Sequence, residues 1–70
     1  MMEFDLSLYS KQAVLQAISD YKEIAVINWR IITDVFQCEF SQTKYDLETT
    51  MNEFGNYVLE LSAAGRGEQP

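Results

Sequence analysis

The chain has 70 residues, 11 acidic against 5 basic side chains, a formal net charge of −6, one cysteine and no histidine. One domain fills that length, and at this size burial barely outweighs the entropy of ordering, so disulfides, a metal or a partner usually supply the difference. A lone Cys38 allows no internal disulfide and cannot make a structural zinc site, which leaves association with protein. Lys11, Lys22, Arg30, Lys44 and Arg66 are scattered, so neither nucleic acid nor an anionic membrane is expected as a partner. Met1 to Ser10 lacks the pattern of a secretion signal, and the single thiol suits a reducing compartment, so the expected location is cytoplasmic.

In chain order, Glu3 to Leu8 alternates polar and apolar residues and predicts a strand with Phe4, Leu6 and Leu8 inward. Ser10 is placed to cap a helix from Lys11 to about Lys22, with Val14, Ala17, Ile18 and Tyr21 on one face and Tyr9 stapled to Val14. Leu15 falls off that face.

Ile24 to Ile32 is rich in β-branched residues and reads as a second strand. Its odd positions, Ala25, Ile27, Trp29 and Ile31, form an apolar face. Thr33-Asp34 is a turn without the glycine that a tight hairpin prefers, and Val35 to Phe40 alternates again with Phe36, Cys38 and Phe40 inward. Thr43-Lys44-Tyr45-Asp46 has the spacing of a capping box. The helix after it carries Leu47, Met51, Phe54, Val58 and Leu61, interrupted by Gly55.

The order β-α-β-β-α predicts an α+β domain over residues 1–62, followed by a flexible tail over 63–70. The strands should form a three-stranded sheet in order 1-3-2 with both helices on one face, as in a ferredoxin-like fold truncated before its last strand. The other face would then be open, with Ile24, Val26 and Ile32 outward in a row among polar neighbours. An apolar patch of that kind marks a contact with protein, either a second copy of the chain or a different partner.

No residue pattern points to catalysis, a cofactor or a metal. A nucleophilic Cys38 would need a base or cation, and the adjacent Glu39 would only raise its pKa, so core packing is the better reading. Glu48, Glu53 and Glu60 lie off the apolar stripe and fit a solvated face. Trp29 could anchor a partner, but its position on the apolar face favours core. Leu15 and Leu59 either fill the groove between helices or form a docking surface. Gly55-Asn56-Tyr57 could admit another backbone, with Tyr57 at the border of the stripe.

Leu8-Tyr9-Ser10, Ala13-Val14, Ala17 and Asp20-Tyr21 before a β-rich run resemble the small D components of the His-Xaa-Ser system, encoded near radical SAM maturation enzymes. That family carries a C-terminal helix motif L-L-N-D-Y-x-L-R-E, against which Glu53 to Leu61 aligns here. Tyr57 and Leu59 match, Phe54 and Asn56 match in kind, and Gly55, Glu60 and Leu61 depart, so the motif's Arg–Glu pair has no counterpart. The resemblance implies a non-catalytic accessory protein of a radical SAM peptide- or protein-maturation system, with the iron–sulfur chemistry in the enzyme. The alternative is a small dimeric regulator that binds and masks an effector protein. The residues proposed for contact are Ile24, Val26, Ile32, Leu15, Tyr57 and Leu59.

Overall fold

The computed structural model describes residues 1–68, with side chains described through residue 64. The elements are β1 (Met2–Asp5), α1 (Lys11–Asp20), β2 (Ala25–Ile32), β3 (Val35–Thr43) and α2 (Leu47–Glu68). β3 is the central strand, antiparallel to both neighbours, so β1 and β2 run parallel one strand apart. This is the α+β arrangement and the 1-3-2 order expected from the sequence.

Register aligns the side chains in rows across the sheet. Phe4, Phe36 and Ile31 share one row on the helix-bearing face, and Met2, Cys38 and Trp29 share the next. The intervening row, Glu3, Gln37 and Arg30, lies on the open face. The core is Phe4, Val14, Ala17, Phe36, Cys38, Phe54 and Val58. Phe54 is its centre, with ring centroids of Tyr21 and Phe40 both 5.3 Å away in edge-to-face contact and that of Phe4 at 6.0 Å. Such aromatic pairs favour offset geometry over flat stacking and add directional preference to burial.

Local chemistry moves several boundaries. β1 stops at Asp5, not Leu8, because the Asp5 carboxylate accepts hydrogen bonds from the Ser7 N–H (2.9 Å) and hydroxyl (2.7 Å), which turns the chain. Leu6 still packs against the core, but Leu8 is exposed. Ser10 does cap α1, its hydroxyl accepting from the Ala13 N–H at 3.3 Å. The expected capping box at Thr43 is displaced. Thr43 is the last residue of β3 and donates to the Tyr45 carbonyl, while Asp46 caps α2 by accepting the Thr49 N–H at 3.0 Å. Helix α2 continues through Glu68, beyond the domain end expected at residue 62, and the last two residues of the expected 63–70 tail lie outside the described residues.

Candidate protein-contact surface

Two strands form the edges of this sheet, β1 with four residues and β2 with eight. The helices are offset from the second. α1 and α2 pack mainly against each other, and α2 crosses β3, whereas β2 packs chiefly on β3. That offset decides the fate of Trp29. Its side chain is on the helix-bearing face, stacked on Phe36 at 4.9 Å, yet 46% of it stays exposed because the helices pack chiefly on each other and on β3. The core assignment for Trp29 is therefore corrected. Ile27 and Ile31 beside it are half-buried.

On the open face, Val26 is 47% and Ile32 46% exposed. Ile24, expected beside them, instead precedes β2, is half-buried and lines a cleft with Tyr21, Tyr45, Thr49 and Glu53 next to the start of α2. These three do not form a continuous row. Val26 and Ile32 stand six positions apart, about 20 Å along a strand. Between them a polar chain crosses the whole sheet: Arg30 Nε donates to Gln37 Oε1 at 2.9 Å, and Gln37 Nε2 donates to Glu3 Oε2 at 3.0 Å. An open groove of about 310 Å³ beside that chain is lined by Met1, Asn28, Arg30, Gln37 and Glu39 together with Trp29. The face as a whole is polar, and the apolar side chains concentrate on β2.

Backbone polarity along β2 follows from two observations. Thr33 and Asp34 are the only residues between the hairpin partners Ile32 and Val35, so that closing pair is hydrogen-bonded and bonding to β3 alternates from there. Independently, the Asp34 carbonyl accepts from the Leu6 N–H at 2.8 Å, which turns even-numbered β3 residues toward β1 and odd-numbered ones toward β2. Both place the N–H and C=O groups of Ile27, Trp29 and Ile31 on the free edge. Nor does β2 hold a carboxylate. Arg30 is its only charge, while every other element of this −6 chain carries at least one acid.

The remaining contact candidates lie elsewhere. Leu15 is half-buried against the core, so it fills space between elements. Leu59 is exposed on the outer side of α2. Tyr57 is half-buried, with its hydroxyl donated to Asp20 Oδ2 at 2.5 Å and its ring 5.7 Å from that of Tyr21. That hydrogen bond holds the Tyr57 hydroxyl above its usual pKa; burial, then Glu53 and Glu60, do the same for Tyr21. Gly55 admits a side chain and not a backbone, since a Cβ there would meet Met2 Cε at 3.2 Å. Cys38 is fully enclosed, and burial pushes its thiol up to about 11, so the cause is desolvation and not Glu39, whose side chain is exposed on the other face.

Among the described residues no cluster of three His, Cys, Asp or Glu side chains is gathered for a metal ion, and no helix is long and apolar enough to cross a membrane. No protein-family model, curated protein or solved structure matches the chain. The resemblance to the His-Xaa-Ser D components thus rests on its own few residues, of which Leu59 is exposed and Tyr57 is engaged with Asp20.

Proposed function

We propose that this chain is a non-catalytic protein-binding module whose contact surface is the outer edge of β2. The observation that carries this reading is Trp29, a large aromatic left 46% exposed on an eight-residue edge strand. Tryptophan is enriched among side chains that anchor interfaces, and an uncovered edge offers backbone hydrogen bonds to an added strand. Val26 and Ile32, on the opposite face of the same strand, add exposed apolar side chains toward its two ends. The radical SAM maturation context remains part of the proposal through the resemblance, with Leu59 as the matching residue open to a partner.

The test is a comparison of what the wild-type protein and the Val26→Lys/Ile32→Lys variant retain, after circular dichroism has shown both folded. The variant is expected to lose the bound protein. Equal retention by both, with no self-association of the wild type, would remove the reading. A radical SAM enzyme among the lost proteins supports the maturation context, and an effector protein supports the regulator.

A further inference from the structure

We infer that the occupant of the β2 edge is a second copy of this chain, paired antiparallel about a twofold axis through Trp29. This rests on the reading of β2 as the contact surface and names its partner. The outward backbone groups belong to Ile27, Trp29 and Ile31, so a symmetric ladder must join odd positions to odd positions. Centred on Trp29, hydrogen-bonded pairs form between Ile27 and the partner's Ile31, and between the two Trp29 residues. On the open face the same register sets Val26 opposite the partner's Ile32, and Asn28 opposite the partner's Arg30.

Neighbouring registers match less well. Centring on Asn28 places Val26 against the partner's Arg30. Centring on Arg30 brings two guanidinium groups together, and directly opposed like charges destabilise a strand pair. Shifts to Ile27 or Ile31 leave Val26 or Ile32 opposite a polar residue. Only the Trp29-centred register pairs each outlying apolar side chain with another. Charge agrees with this choice, because β2 is the element where two copies of a −6 chain can meet without apposing carboxylates. The product is a continuous six-stranded sheet in which the two indole rings, both on the helix-bearing face, cover each other where the helices do not.

Sedimentation equilibrium of the wild type from micromolar to about 1 mM, the weak end of specific association, measures the dimer. Register is read by oxidising a mixture of Asn28→Cys and Arg30→Cys chains. Opposed non-hydrogen-bonded residues have Cα atoms about 4.5 Å apart, within disulfide reach. A dimer whose mixed chains cross-link, while either chain alone does not, supports the inference. Val26→Lys/Ile32→Lys should weaken dimerisation at least tenfold, and Val26→Lys/Ile32→Glu should restore it, because each introduced lysine then faces an introduced glutamate. A dimer in which Asn28→Cys links to itself overturns the register. A wild type monomeric throughout overturns the second copy: if the double-lysine variant still loses a captured protein, the contact-surface reading survives, and if it loses nothing, both fall.

Discussion

The backbone N–H of Ser10 donates to the Oγ of Ser62 at 3.1 Å, across 52 positions of sequence. Ser10 is the N-cap of α1, and its own hydroxyl is occupied by the Ala13 N–H. In a capping box the N-cap N–H is satisfied by a side chain three residues on in the same helix. Here the acceptor comes from α2, so the start of one helix is fastened to the side of the other. Ser62 is fully buried for that purpose, although its position after the last apolar residue of the stripe reads as the beginning of a tail.

Ser62→Ala should therefore cost more than an ordinary serine replacement. The Ser10 N–H would be left partly buried without an acceptor, a loss of about 1–3 kcal/mol. Urea denaturation measures it, and a change under about 0.3 kcal/mol would show that water replaces the hydroxyl.

Thr33 in the β2–β3 turn has φ 54°, the only positive φ among described non-glycine residues. A β-branched side chain is strained there, and glycine is not. Thr33→Gly is expected to stabilise the protein by about 1 kcal/mol, seen as a higher denaturation midpoint at unchanged slope. A lower midpoint would mean that the flexibility gained by the unfolded chain outweighs the relief.

Gly55 presents the opposite choice. Alanine in a helix interior is favoured over glycine by about 1 kcal/mol. The Cβ would approach Met2 Cε at 3.2 Å, but that methyl ends a flexible side chain and can move by a few tenths of an ångström. Gly55→Ala should raise stability by about 0.5 kcal/mol, whereas Gly55→Val should lower it by overpacking against β1. Thermal melts of the two variants separate these effects.

Periodicity exposed the element order and the α2 stripe from Met51 to Leu61, though not Leu47, which is exposed, and the connection rule for the crossover then gave the sheet order. Neither could show where the helices sit laterally. Ser10–Ser62 and Tyr57–Asp20 pin the two helices to each other and the Met2–Gly55 approach seats α2 against β1, and none of these has a local signature. The burial of Trp29 depended on that placement alone, so its residue type suggested core while its position at an edge left it open. The chain of bonds through Arg30, Gln37 and Glu3 was equally hidden, since it needs the register of three strands.

Asp46, and not Thr43, should govern the start of α2. The Thr49 N–H, followed by the Thr49 hydroxyl, holds the Asp46 carboxyl below its ordinary value. A depressed folded-state pKa gives stability that is present above the unfolded-state value and lost as pH falls through the folded one. Asp46→Ala should lower the melting temperature at pH 7 more than Thr43→Ala does, with the gap narrowing as acid protonates the wild-type cap. Equal effects of the two variants at pH 7 would return the cap to Thr43.

Cys38 makes the converse prediction at alkaline pH. Its thiol is pushed from 9.0 up to about 11 by burial, so the unfolded chain ionises first as pH rises. Stability from the neutral thiol is intact below pH 9 and falls between pH 9 and 11, by roughly 2–3 kcal/mol in that interval. Tyr21 and Tyr57, also raised, add to the decline at higher pH. Cys38→Ala would lose packing at every pH but flatten the slope from pH 9 to 10, where the thiol dominates. Iodoacetamide should label native Cys38 only at the rate of opening, with labelling accelerated by urea. Rapid labelling of the folded protein at pH 8 would contradict the enclosure that produces the shift, because a thiol open to reagent is also open to water.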